Sequence, residues 1–101
     1  MKGSERAALR AEAHHLDSIV HVGHQGLTPA LIASLEDALR TRELVKVKLA
    51  KQSDVKAKDA AAAMALATGS DVVQVIGRTA TLYRRNNELK HETGELPAWR
   101  R

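Results

Sequence analysis

Apolar positions recur along the chain with two periods, one typical of amphipathic helices and one typical of strands. Near the N-terminus, Leu9, Ala13 and Leu16 follow the helical period among charged residues. Between residues 44 and 50, apolar and polar residues alternate, as in a strand with one buried and one solvated face. Applied to the whole chain, the pattern predicts, in order, helix 4–15, strand 18–22, a helix starting at 29, strand 44–50, a helix ending before 69, and strands 72–76 and 79–84.

Several boundaries of these elements have a chemical basis. Thr28 can cap the second helix with its hydroxyl, and Pro29 loses no hydrogen bond at the first helical position. Asp54 is the predicted cap of the third helix, and Gly69 is its predicted end. The two-residue connection Gly77-Arg78 favours a tight antiparallel hairpin between the last two strands.

The predicted order is α-β-α-β-α-β-β, which indicates an α/β fold. Strand-helix-strand units of this length usually form right-handed parallel crossovers, so we expect a four-stranded mixed sheet whose last strand is antiparallel. If both crossover helices lie on one face, the other face is open. Lys46 and Lys48 would then stand on it beside Gln74 or Tyr83, depending on the register.

Composition narrows the class of protein. The 101 residues are the size of one domain, and with no Phe and one Trp and one Tyr the core must come from Leu, Ile, Val and Ala. The absence of cysteine excludes disulfides and thiolate chemistry, and no apolar run approaches the ~20 residues of a membrane span. We therefore expect a soluble, cytoplasmic monomer with no membrane partner. The pattern fades near its end, which predicts a domain over residues 1–85 and a flexible basic and polar tail over 86–101.

Positive charge is concentrated in two segments. The net charge is +4, yet five lysines and only one acidic residue, Asp54, lie between Lys46 and Lys58. A second basic segment contains Arg78, Arg84 and Arg85. Such clusters favour a polyanionic partner, although lysines on the wet face of a strand are also an ordinary protection against aggregation.

The loop Gly23-His24-Gln25-Gly26 lies between a predicted strand and the predicted N-terminus of a helix. Backbone N–H groups and the helix dipole favour an anion at such a place, and two glycines allow a phosphodiester backbone to approach closely. The alternative is that the glycines only turn the chain from strand to helix.

Candidate chemistry beyond anion binding is sparse. No nucleophile motif or acid-base pair is evident, so we expect no enzymatic activity, no cofactor and no small-molecule substrate. His21 and His24 flank the glycine turn but lack the cysteine or acidic partners of a tetrahedral metal site, so no metal is expected. Tyr83 could stack on a base, but one aromatic residue is not a stacking platform.

With the segments placed, HVGHQGLTPALIASLEDALRTRELVKVKLA and VVQVIGRTATLYRR resemble the bacterial YhbY proteins, the stand-alone form of the CRM (chloroplast RNA splicing and ribosome maturation) domain. The resemblance covers Ser4 to Arg85. It implies a fold similar to the C-terminal domain of a bacterial translation initiation factor and a GxxG loop like that of KH domains. It also implies non-catalytic binding of ribosomal RNA in precursors of the large ribosomal subunit.

By position, the loop that contacts RNA in this family falls on residues 23–26, and relatives often carry a lysine or arginine where this chain has His24. The loop is therefore less positive here. The complete set of predicted RNA contacts is Gly23, His24, Gln25, Gly26, Thr28, Lys46, Lys48, Arg78, Arg84 and Arg85. The alternative function is a protein-interaction adaptor that docks through the hairpin or through Leu96 and Trp99 of the tail.

Overall fold

The computed structural model describes residues 3–23, 25–50 and 56–86. The elements are α1 (Gly3–Ala13), β1 (Ser18–Val22), α2 (Pro29–Arg42), β2 (Leu44–Leu49), α3 (Ala57–Thr68), β3 (Asp71–Ile76) and β4 (Thr79–Tyr83). The predicted order α-β-α-β-α-β-β is confirmed. No helix in these ranges is long and apolar enough to cross a membrane.

The strands form one four-stranded sheet in the order β1-β2-β4-β3. β1 and β2 are parallel, whereas β4 is antiparallel to both of its neighbours, so the predicted mixed sheet is confirmed. The last strand of the sequence therefore lies inside the sheet. Its burial agrees with this position, since four of its five residues are buried.

The two faces of the sheet are covered unequally. α2 and α3 pack together on one face, where Leu35, Leu39 and Met64 join apolar residues of the strands in the larger core. α1 lies on the opposite face and covers only part of it, with Leu9 in a second core. The open face expected from the sequence is therefore open only beyond the end of α1.

Tyr83 belongs to the covered part of that face. It is only 4% exposed and packs in the second core with Leu9, Leu44 and Val73. This burial excludes the possibility, raised from the sequence, that Tyr83 stacks on a base. Arg6 of α1 strengthens the same contact, because its guanidinium donates hydrogen bonds of 2.8 and 3.1 Å to carbonyl oxygens of β3.

α2 begins as predicted and ends in an unusual way. The Thr28 hydroxyl accepts a hydrogen bond of 3.1 Å from the backbone N–H of Leu31, and Pro29 is the first helical residue. The helix ends at Arg42 and is followed by the C-cap residue Glu43, whose φ of 65° is unfavourable for a residue with a side chain. Glu43 is fully buried, and its carboxylate accepts the N–H of Asn86 at 2.7 Å. This contact helps to hold the turn from α2 to β2.

The boundaries of α3 confirm one prediction and correct another. Gly69 ends the helix in the left-handed conformation, as predicted. The N-cap position, however, is held by Lys56 and has no side-chain capping bond. The prediction that Asp54 caps this helix is therefore wrong, and Asp54 itself lies outside the described residues.

The structure confirms the predicted hairpin and extends the ordered contacts by one residue into the predicted tail. Ile76 pairs with Thr79, so Gly77-Arg78 is the two-residue connection that was predicted. The tail was predicted to start at residue 86, but Asn86 is still bonded to α2, since its side-chain amide donates to the Arg40 carbonyl at 2.7 Å. Residues 87–101, which include Leu96 and Trp99, lie outside the described residues.

Candidate nucleic-acid interface

The glycine loop leads from the end of β1 into α2. It is closed by two backbone hydrogen bonds of 3.1 Å, from Gly26 N–H to the Gly23 carbonyl and from Thr28 N–H to the Gly26 carbonyl. Gly26 has a φ of 77°, which favours glycine, whereas Gly23 has no such requirement. A Cβ at either position would meet open space. Packing therefore does not explain the glycine at position 23.

An open cleft adjoins this loop. The first turn of α2 contains no acidic side chain that would offset the positive end of the helix dipole. The cleft has a volume of about 350 Å³ and is lined by His21, Gly23, Gln25, Gly26, Thr28 and Leu31. Its backbone and polar groups make it suited to an anion. His24, the remaining loop residue, lies outside the described part of the chain.

The uncovered part of the sheet carries the two lysines of β2. Lys48 is in register with His21 on one side and with Thr79 on the other, and Thr79 is paired in turn with Ile76. Neighbouring strands lie about 4.8 Å apart, so Lys48 lies close to the strand that leads into the loop. The lysines and the loop therefore form one continuous surface.

The register also decides which residue Lys46 stands beside. Lys46 pairs with Thr81 of β4, which pairs with Gln74 of β3. Tyr83 pairs with Leu44 instead, under α1. Of the two neighbours left open by the sequence, Gln74 is the one that shares this uncovered row. We call the surface formed by Lys46, Lys48, Gln74, Ile76 and Thr79, with the buried Thr81 beneath it, the lysine face.

Arg78 lies at the same end of the sheet as the glycine loop. Its guanidinium donates a hydrogen bond of 2.7 Å to the carbonyl oxygen of Ala50, and its own carbonyl accepts the N–H of Leu49 at 2.7 Å. Ala50 N–H in turn donates to the Val22 carbonyl at 2.9 Å, next to the loop. Arg78 therefore holds the hairpin to the end of β2 and places positive charge near the loop.

Arg84 and Arg85 are not brought together with the loop and the lysines. β4 starts at the loop end of the sheet, so Arg84 follows its other end, about 15 Å further along the strand. The Arg84 guanidinium lies on the helix side, where it donates to the Glu36 carboxylate at 2.7 Å and the Thr68 carbonyl at 2.8 Å. The geometry indicates that Arg84 joins α2, α3 and β4. Contact of Arg84 or Arg85 with RNA stays a prediction that this placement does not support.

Other residues of the lysine face escaped sequence reasoning because their position depends on strand order. Ile76 is 60% exposed although it is a large aliphatic residue on an edge strand. Thr79 and Thr81 lie between the lysines and β3 only because β4 is inserted there. Alternation along β3 and β4 could have assigned these side chains to one face but not to the neighbourhood of the lysines. Within the described ranges, no three His, Asp or Glu side chains come together as a metal site.

Comparison with known proteins agrees with this architecture. The family model described as the CRS1 / YhbY (CRM) domain matches residues 1–84. YqeI of Bacillus subtilis (strain 168), named as a probable RNA-binding protein, is 36% identical over 97 residues, which are 96% of this chain and 99% of that protein. An RNA-binding protein of Haemophilus influenzae is 36% identical over 86 residues, which are 85% of this chain and 87% of that protein.

A solved structure shows the same fold. The solution structure of a hypothetical protein of Staphylococcus aureus, for which RNA binding has been suggested, matches with a TM-score of 0.76 and 34% identity. The match covers 96% of this chain and 99% of that one. The extent of these matches and the shared α/β architecture show that this chain belongs to the CRS1/YhbY (CRM) domain family.

Proposed function

We propose that this protein binds RNA without catalysing a reaction and that the glycine loop holds the phosphate backbone. The observation that carries the proposal is the open cleft between the loop and the N-terminus of α2. Gly23 and Gly26 leave space there for a close approach, and the helix dipole favours a negative charge. The names of the relatives support RNA as the anion.

The lysine face and Arg78 supply the longer-range attraction. Lys48 is exposed beside the strand that leads into the loop, and Lys46, two residues earlier in β2, is half-buried. Phosphate contacts of this kind position the protein on RNA, whereas unpaired bases or RNA shape provide specificity. If about five phosphates are engaged, log affinity falls against log salt with a slope of roughly −3.5.

The finer biological role is also a proposal. We infer that the RNA is ribosomal and that the protein acts in the cytoplasm as a monomer on precursors of the large ribosomal subunit. The support is the family membership, because the CRM domain takes its name partly from ribosome maturation. An adaptor that docks through the hairpin or tail is the alternative, and its docking would not depend on the glycine loop.

The variant Gly23→Asp tests the grip of the loop on RNA. We expect folding to survive, because a Cβ at Gly23 meets open space and the position needs no positive φ. Affinity for RNA should fall at least tenfold, since a carboxylate then faces the phosphates. Gly3→Asp is the matched control, because it introduces the same charge at another open position. Gly3 is the first residue of α1 and lies about 15 Å from His14, which follows the other end of that helix.

RNA binding by the loop and association with precursors of the large subunit are tested by separate measurements. Fluorescence anisotropy with a labelled RNA fragment of the large subunit measures affinity, and circular dichroism checks the fold of each variant. Equal binding by Gly23→Asp and Gly3→Asp would refute the role of the loop. Gradient sedimentation of cell lysate then tests the ribosomal role: wild-type protein that stays at the top, while particles are intact at low salt, would refute association with large-subunit precursors.

A further inference from the structure

A small pocket lies on the lysine face where α1 ends. Its volume is about 170 Å³, well below the roughly 300–1,000 Å³ of sites that take drug-sized ligands. Its lining includes His14, Lys46, Gln74, Ile76, Thr79 and Thr81. We propose that this pocket receives one unstacked base of the bound RNA, so that the protein selects single-stranded over duplex segments. The inference rests on the proposed RNA binding and names the kind of RNA.

The chemistry of the pocket suits one face and one edge of a base. Ile76 is 60% exposed and offers an aliphatic surface for a flat ring. Gln74, two residues earlier in the same strand, has an amide with two N–H donors and an oxygen acceptor, which matches the mixed edge of a base. The hydroxyl of Thr79, which is half-buried, adds a group that can donate or accept. A purely electrostatic surface would need neither an amide nor an exposed aliphatic side chain.

Charge makes a nucleic acid a better occupant than an acidic or neutral peptide side chain. Lys46 lines the pocket, and none of its lining residues is acidic. Lys48 and His21 continue the same face towards the glycine loop. From β1 to β3 the path crosses three interstrand spacings, about 14 Å, which a segment of a few nucleotides can span. One RNA strand can therefore contact the loop with its phosphates and the pocket with a base.

The shape of the pocket argues against a duplex. One wall is formed by Ala13 and His14 at the end of α1, so a ligand must enter between this helix end and the sheet. Bases in an A-form duplex stay stacked and paired, and the deep, narrow major groove hides their edges. Bases of loops, bulges and strand ends can leave the stack. The pocket is therefore accessible to single-stranded RNA and closed to a regular helix.

The first experiment compares two probes. A fluorescein-labelled 12-nucleotide RNA of mixed sequence is titrated as a single strand and after annealing to its complement, with wild-type protein and with the double variant Gln74→Ala/Ile76→Ala. Wild type should bind the single strand more tightly. The double variant should lose about tenfold in affinity for the single strand, since it lacks an amide hydrogen-bond partner and an apolar contact, and should bind the duplex within twofold of wild type.

A control variant and a measurement on wild-type protein distinguish loss of the pocket from misfolding of the double variant. Leu66→Ala, at an 88% exposed position of α3, removes an aliphatic side chain from the helix side of the sheet and should leave both affinities unchanged. In wild-type protein, photocrosslinking of the same probe carrying 4-thiouridine, followed by peptide mass spectrometry, should label β3 or the end of α1. This result does not require any variant to fold.

The outcomes separate this inference from the proposed function. Preference for the single strand, its loss in the double variant, and crosslinks at β3 or the end of α1 would support the base pocket. Equal affinity for both probes, or crosslinks confined to the glycine loop, would overturn the pocket and leave RNA binding intact. Failure of wild type to bind either probe or a ribosomal RNA fragment would overturn both proposals.

Discussion

The two ends of the sheet each carry basic residues, but they use the charge differently. At the loop end, Lys48 is exposed, and the lysine face lies uncovered. At the other end, Arg84 is surrounded by the Glu36 carboxylate, the Glu36 carbonyl and the Thr68 carbonyl. The Lys48 ammonium therefore contributes to the positive surface, whereas the Arg84 guanidinium is satisfied by acceptors inside the fold. In the proposed function, the loop end attracts RNA, whereas the contacts of Arg84 stabilise the fold.

The largest effect should come from Arg84→Ala. The substitution removes hydrogen bonds from a charged donor to α2 and α3, so we expect the free energy of unfolding to fall by about 2 kcal/mol. Urea denaturation measures this change. Arg85→Ala, at the neighbouring exposed position, should change stability by less than about 0.5 kcal/mol.

The RNA affinity of Arg84→Ala also tests whether the two ends of the sheet have different roles. RNA affinity per folded molecule of Arg84→Ala should stay within about twofold of wild type, because its guanidinium lies on the helix side and away from the lysine face. If Arg84→Ala kept full stability and lost RNA binding, the assignment of Arg84 to the fold would be wrong.

An intermediate effect is expected from Lys46→Ala/Lys48→Ala. These changes remove two positive charges from the lysine face, so RNA affinity at low salt should fall roughly tenfold and the salt slope should flatten by about 1.4. Anisotropy titrations at four salt concentrations measure both quantities. Lys58→Ala, an exposed lysine on α3, is the matched control.

The double variant Lys46→Ala/Lys48→Ala should have the opposite effect to Arg84→Ala, because it should weaken RNA binding and leave folding unchanged. We expect stability within about 0.5 kcal/mol of wild type, since Lys48 is exposed and Lys46 is only half-buried at the surface. An unchanged salt slope would show that RNA does not contact the lysine face. A similar loss in Lys58→Ala would show that net charge, not its location, controls affinity.

The smallest effect concerns the two glycines of the loop. Gly26→Ala should lower the free energy of unfolding by about 1 kcal/mol, because φ is 77° there. Gly23→Ala should leave stability unchanged or slightly raised, since its backbone does not require glycine. Thermal denaturation of both variants measures the difference, and equal losses would contradict it.

Much of the fold was predictable because local chemistry determines where elements begin and end. Thr28 and Pro29 start α2, Gly69 ends α3, and Gly77-Arg78 forms the hairpin, all as predicted. The failure at Asp54 has a local explanation too: the third helix starts later, at Ala57, and proceeds without a side-chain cap. Its alanine-rich sequence and its packing of Ala60, Ala61 and Met64 support the helix instead.

The candidate site was only partly predictable, because its residues come from strands whose order the sequence leaves open. Lys46 and Lys48 were correctly expected on an open face, since alternation separates the two sides of a strand. Whether Gln74 or Tyr83 shares that uncovered row depends on the register of β4 and on where α1 lies. Tyr83 does not share that row because it is buried in the second core with Leu9 of α1.

By itself, the sequence determined the number and type of elements, the glycine loop ahead of a capped helix, and the concentration of lysines on one strand. These properties depend on contacts between residues close in the chain, such as Thr28 and Leu31. Only the tertiary structure decided that β4 is inserted beside β2, that Arg84 is neutralised by Glu36, and that the pocket at Gln74 opens beside α1. Such features join residues dozens of positions apart, and their geometry depends on how the whole sheet and its helices pack.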